Sequence, residues 1–359
     1  MNTTYIMLRK ISLFIIAAAV IAGCGKTTKE EVTEPSVMET ELLIDYLESN
    51  GNFLNGPVIP ALIGAQDVYN MLVASNIHVI DLRTEEEYAA GHILHSVNVT
   101  PENILHHFER RIDPTAFDYI VLACNDAMLS GLVNAVLIFL GHENVYTMRF
   151  GLSSWDKEIA DNYWLAAISD HLEGKLETQS NPKNPAGELP AIATGFTDGY
   201  NILRARAIDI LNTDLNSLNV TLEEVTKRAN ALYNVKYWPE AFYNTGHLPG
   251  AIQYTPKSSL HSKEYLHTLP ADQPIVISCY SGHHSAYVAA FLRLLGYDAY
   301  NLPYGANSYI HTTIKTTQSD TRFFTEEHIR HLPLVGTDRI APPPVNAVQE
   351  EGIPVIGGC

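Results

Sequence analysis

Apolar and polar positions along the chain fall into short blocks that alternate in character. Residues 65–74 read as a helix and 77–82 (I-H-V-I-D-L) as a strand. Residues 85–90 read as a second helix, followed by a turn at Gly91-His92. The run 119–123 (Y-I-V-L-A) is short, apolar and rich in β-branched residues, as a strand buried on both faces requires. Residues 132–140 are apolar over a helical length, Gly141 closes that helix, and 145–148 reads as another strand. Strands alternating with helices predict an α/β unit with a mainly parallel sheet. The second half repeats the pattern. Residues 222–232 read as a helix and 274–278 as a buried strand. Residues 285–295 read as a helix with Val288, Leu292 and Leu295 on one stripe, closed by Gly296.

The repetition is residue by residue. At a constant offset of 155, Tyr88 meets Tyr243, Gly91-His92 meets Gly246-His247, and Thr100-Pro101 meets Thr255-Pro256. Ile120-Val121 meets Ile275-Val276, Cys124 meets Cys279, Ser130 meets Ser285, and Leu140-Gly141 meets Leu295-Gly296. So many matches in order, without a gap, mean two copies of one fold unit. In each, an apolar strand delivers a cysteine into a short loop ahead of an apolar helix. The expected organisation is a leader (1–23), a tether with a helix (24–58), a first unit (59–165) and a linker (166–196). A second unit (197–318) and a C-terminal extension (319–359) follow. The linker carries Q-S-N-P-K-N-P-A-G at 179–187, and residues 197–220 hold a further helix. Residues 341–359 read as an extended tail.

The leader is an address. Arg9-Lys10 precedes an uncharged apolar stretch, 11–23, too short for a comfortable membrane span. It ends I-A-G-C at 21–24, which resembles a bacterial lipobox. The resemblance implies cleavage before Cys24, a lipid on Cys24, and, with Gly25 following, an outer-membrane address in the cell envelope. Residues 26–40, rich in Lys, Glu and Thr, read as a flexible tether.

Charge and cysteine usage narrow the function. The net charge is −17, and the leader removes two cations and no acid, so the mature chain repels nucleic acid and anionic lipid faces. Besides Cys24, only Cys124, Cys279 and Cys359 remain, an odd small number that points to a working thiol more than to a disulfide framework. There is no G-x-x-x-x-G-K phosphate loop and no dinucleotide fingerprint, and no cofactor is expected.

The chemistry is expected where a strand ends and a helix begins, in C-Y-S-G-H-H-S at 279–285. Backbone N–H groups at a helix N-terminus stabilise an anion, lower a cysteine pKa and make its thiolate a nucleophile. Gly282 allows the sharp turn. Ser281 and Ser285 can donate hydroxyl hydrogen bonds, and His283 and His284 are expected to be donors and partly cationic near neutral pH.

These segments carry a resemblance. D-L-R-T-E-E-E-Y-A-A-G-H-I (81–93) and G-H-L-P-G-A-I (246–252) resemble signatures of the rhodanese, or sulfurtransferase, family. The loop at 279–285 resembles its persulfide loop, C-x-S-G-x-R-S, and F-G-L-S-S-W (150–155) is like its G-G-x-x-x-W. The resemblance implies an α/β fold of two tandem rhodanese-like domains, each a mainly parallel sheet flanked by helices. It implies a Cys279 persulfide that takes sulfane sulfur from a small anion and passes it to a thiol acceptor. Tyr280, Ser281, Gly282, His283, His284 and Ser285 would form the anion cradle.

Departures are specific. His284 stands where the family has its loop arginine, and the offset puts Lys236 and Trp238 where the first unit has Asp81 and Arg83. The first unit's loop, C-N-D-A-M-L-S at 124–130, has no glycine or basic residue, and Asp126 would oppose a thiolate. Cys124 is therefore either vestigial or a second active thiol. Cys359 is either incidental or an exposed thiol on a flexible arm. Asp81 and Arg83 are expected to form a structural ion pair, His92 and His247 to be fold-stabilising hydrogen bonders, and His106-His107 to lie on a solvated helix face. His283-His284 has no second set of ligands at metal spacing, so no metal is expected. Two rival functions stand beside sulfur transfer: a silent binding or scaffold module near an envelope partner, and selenium or tellurium oxyanion handling. A phosphatase needs C-x-x-x-x-x-R, and Ser285 occupies the arginine position.

Overall fold

A computed structural model describes residues 35–336. Cys24, Cys359, the leader and the tail lie outside the described residues. The first half runs α1 (Val37–Ser49), β1 (Leu62–Ile63), α2 (Ala65–Ala74), β2 (Ile77–Asp81), α3 (Glu85–Ala90), β3 (Val97–Asn98) and α4 (Ile104–Arg110). It continues with β4 (Tyr119–Ala123), α5 (Met128–Phe139), β5 (Val145–Met148), α6 (Lys157–Asn162) and α7 (Trp164–Ala167). The second half runs α8 (Gly199–Leu211), α9 (Leu222–Lys227), β6 (Tyr233–Tyr237), α10 (Glu240–Tyr243) and β7 (Ile252–Tyr254). It closes with β8 (Ile275–Ser278), α11 (His283–Leu294), β9 (Ala299–Asn301) and α12 (His311–Thr317).

Local chemistry sets several of these limits. Thr84 and Glu87 form a reciprocal capping box at α3, and Thr221 and Glu224 do the same at α9. Helix α9 ends at Lys227, five residues before the run read as helical, because the chain turns there to enter β6. Helices α5 and α11 start earlier than their apolar runs, directly after the cysteine loops, because Ala127 and Gly282 take left-handed conformations that launch them.

Both sheets are parallel. Their orders are β1-β5-β4-β2-β3 and β7-β6-β8-β9. Strands β2 to β5 thus correspond to β6 to β9, and the registers agree with the sequence offset: Asp81 pairs with Ala123, and Lys236 with Ser278. Each cysteine follows the residue at the carboxyl end of its central strand.

The two units share one core. Helix α5 packs on α11, and Gly131 lets them approach: a Cβ there would lie 3.3 Å from Ala286 Cβ. Buried within this apolar seam, the Tyr287 hydroxyl lies 2.6 Å from the Asn134 amide and 3.1 Å from Ala61 O and Thr147 Oγ1. Residues 319–336 then run from the second unit back to the first. Phe324 packs on Phe150 and Trp164, Leu332 and Leu334 enter the first unit's core, and Val335 bridges to His92.

The expected Asp81–Arg83 pair is present, with Arg83 Nη2 2.7 Å from Asp81 Oδ2. His92 and His247 stack on Tyr88 and Tyr243, and their Nδ1 atoms lie 2.9 and 3.0 Å from backbone carbonyls. His107 departs from expectation. His106 is exposed, but His107 is half-buried, stacked on His78 with their Nε2 atoms 2.9 Å apart.

Candidate active site

Strand β8 is buried along its whole length and ends at Ser278, so Cys279 opens the loop that leads into α11. Gly282 turns that loop with φ 86°, and a Cβ there would fall 2.7 Å from Tyr304 N and 2.8 Å from Met128 Sδ. Its amide donates to Cys279 Sγ at 3.2 Å. Across the loop, Ala306 N donates to Cys279 O, and Asn307 donates to Tyr280 O from both backbone and side chain. With these carbonyls tied outward, the loop's inner side is left to N–H groups, an anion-favouring arrangement at a helix N-terminus. The Ser285 hydroxyl lies 3.5 Å from Cys279 Sγ and 2.6 Å from Asn301 Oδ1. It has a single proton, so the shorter contact holds it and fixes the oxygen beside sulfur.

The histidines do not behave as cations. His283 and His284 are fully buried, and burial, first, pulls both pKa values down to about 3. Both rings are neutral at pH 7, which corrects the expectation of an imidazolium in the arginine's place. His283 is also engaged with the first unit. Its Nε2 accepts from Phe150 N at 3.3 Å, its Nδ1 lies 2.9 Å from Ser281 Oγ, and its ring packs against Phe150 and Trp164. Ser281 and His283 thus serve the seam between the units. His284 stands edge-on to Tyr237, and neither ring nitrogen meets a hydrogen-bonding group among the described residues. After burial, Lys257 and Arg322 are what hold its pKa down, so two cations face this ring.

Tyr280 is buried between the Trp238 ring, 5.0 Å away, and the Arg322 guanidinium, 4.7 Å from the ring centre. Beneath the loop, Lys236 is completely buried on β6. Its Nζ donates to Ser278 Oγ at 3.1 Å and Tyr309 Oη at 2.6 Å, and lies 3.6 Å from the Trp238 ring centre.

A family model of the rhodanese-like domain matches residues 64–158 and again 221–312, together just over half of the chain. The chain belongs to the rhodanese family. It is 28% identical over 95 residues to the thiosulfate sulfurtransferase GlpE of Pseudoalteromonas translucida (strain TAC 125), a match over 26% of this chain and 87% of that protein. Among solved structures, it is similar to the 3-mercaptopyruvate sulfotransferase SseA from Escherichia coli. That likeness has 18% identity and TM-score 0.24, over 68% of this chain and 98% of that one. A thiosulfate sulfurtransferase from Pseudomonas aeruginosa matches at 14% identity and TM-score 0.25, over 74% of this chain and 46% of that one. Family membership supports sulfur transfer as the general chemistry.

The first rhodanese domain has a different cysteine environment. Cys124 is buried, with Ser130 Oγ at 3.3 Å and Asp126 Oδ1 at 3.8 Å. Burial, and then the Asp126 carboxylate, push the Cys124 thiol up to about 11. Asp126 also accepts from Met128 N at 3.0 Å, so a carboxylate of the chain itself occupies the N-terminus of α5. Cys124 and Cys279 are both free thiols.

The rhodanese loop pattern does not point to Lys236, Lys257, Arg322 or Asn301. The repeat offset does point to two of them. Asp81 becomes Lys236, Glu102 becomes Lys257, and Asp126 becomes Ser281. At all three positions the second domain exchanges an acid for a base or a neutral residue. Arg322 lies beyond the repeat and is brought in by the returning segment.

Proposed function

We propose that the second domain is a sulfurtransferase that works through a Cys279 persulfide. The observation that carries this reading is the Gly282 amide on Cys279 Sγ, at the N-terminus of a twelve-residue helix, with Lys236 beneath the loop and Lys257 and Arg322 on its His284 side. In the reaction, the Cys279 thiolate attacks the sulfane sulfur of thiosulfate. The donor's S–S bond breaks, sulfite leaves with the bonding pair, and a persulfide anion remains on Cys279. An acceptor thiolate then attacks the terminal sulfur and returns Cys279 as thiolate. The loop amides hold the anion in each state, Ser285 fixes the sulfur's near side, and Lys257 and Arg322 supply the fixed positive charge that the loop lacks. His284 offers one neutral N–H. Burial of Cys279 favours a small anion as donor.

We further propose that the protein is lipid-anchored through Cys24 in the cell envelope, on the basic, apolar and I-A-G-C pattern of residues 9–24.

The test is mass spectrometry of the protein after incubation with thiosulfate or polysulfide. One added sulfur is expected on the Cys279 peptide, removable by a thiol acceptor. It should be absent in Cys279→Ser and retained in Cys124→Ser. The absence of any added sulfur would overturn this reading and leave the rival silent module in the lead.

A further inference from the structure

We propose that Lys236 is the internal counter-ion of Cys279: its buried ammonium holds the sulfur as an anion from the sheet side, opposite the loop amides. The inference rests on the sulfur-transfer reading only in taking Cys279 as the working thiol.

The placement argues for it. Lys236 pairs in register with Ser278, the residue before Cys279, and its Nζ reaches Ser278 Oγ at 3.1 Å. Its remaining neighbours are the Tyr309 hydroxyl and the Trp238 ring, which accommodate a cation without neutralising it. No carboxylate lies within ion-pair distance of Nζ among the described residues. An ammonium taken fully out of water needs an anion nearby or it loses its proton.

Electrostatics point to the same partner. Burial pulls Lys236 down to about 7, and the opposing influence is Cys279. The Tyr237 and Tyr309 phenols also sense Cys279, and both are pushed upward by burial and so neutral. His283 and His284 are neutral as well. Lys257 and Arg322 face the His284 side of the loop. Lys236 acts from beneath.

The first domain is the internal control. The position equivalent to Lys236 is Asp81, ion-paired with Arg83, and the Cys124 thiol there is raised by burial and then by Asp126. One molecule thus holds the same strand-loop-helix unit with an ammonium behind one cysteine and an ion-paired carboxylate behind the other.

The experiment compares wild type with Lys236→Met, which keeps the length and removes the charge. Iodoacetamide alkylation of the Cys279 peptide is followed against pH by mass spectrometry. The Cys279 profile in Lys236→Met should move to higher pH by a unit or more, so that reactivity at neutral pH falls about tenfold or further. The Cys124 profile should stay in place. Overlaid Cys279 profiles in a folded variant would overturn the proposal. If the variant does not fold, or the sulfur is closed to the reagent, the reciprocal measurement decides. The Lys236 Cε resonance should titrate at lower pH in Cys279→Ala than in wild type, and an unchanged midpoint overturns the pairing. Because neither readout uses a sulfur donor, a wild type that takes up no sulfur yet shows these shifts would remove the transfer reading and leave the ion pair.

Discussion

Acid should unlock the second domain, and His284 isolates the cause. In the folded chain the ring is fully buried and its pKa lies near 3, against an ordinary value of 6.5. Below pH 6.5 the unfolded chain binds a proton here and the folded chain does not. Stability therefore falls as pH falls, and the loss continues until the folded pKa is reached. Each pKa unit is worth about 1.4 kcal/mol, so this imidazole costs roughly 5 kcal/mol over the whole window. His283 adds a comparable amount. Together they reach the scale of a domain's entire stability, about 5–15 kcal/mol. The perturbation is His284→Leu. It removes two ring nitrogens that have no partner among the described residues, so stability at pH 7 should hold or rise. The assay is urea unfolding at several pH values from about 7 down to 4. Wild type should lose about 1.4 kcal/mol per pH unit more than His284→Leu below about pH 6. Parallel curves for the two proteins would refute a buried neutral His284.

Gly282→Ala should cost about 1–3 kcal/mol and most Cys279 reactivity, since φ is 86° and a Cβ would meet Tyr304 N at 2.7 Å; urea midpoints and sulfur loading check it. Tyr287→Phe should cost about 1–3 kcal/mol in denaturant unfolding, because Asn134 and Thr147 are left buried at the seam without that hydroxyl. Cys24→Ser should abolish acylation and move the protein out of the membrane fraction, which fractionation and mass spectrometry would show.

The strands and helices that repeat were legible because they are apolar and regular. Residues 65–74, 85–90, 119–123 and 145–148 form the elements their patterns predict. Strand β6 was hidden because Asn234 and Lys236 interrupt its apolar text, although both are buried. The cysteine loop was visible from its glycine and its place before a helix. The state of its histidines was not, since a sequence does not report that Phe150 and Trp164 close over His283. Lys236 and Lys257 were within reach of the offset comparison. Arg322 was not, because its place depends on the path of residues 319–336.

That path also constrains the order in which the molecule can be made. Leu332 and Leu334 complete the first domain's core, and the Trp155 indole donates to Pro333 O. A ribosome therefore releases the first domain long before it releases the segment that closes it. The nascent first copy must wait, part of its core uncovered, until the second copy and its trailing segment have emerged. Separating the halves at the 179–187 linker would thus yield an unfinished first domain.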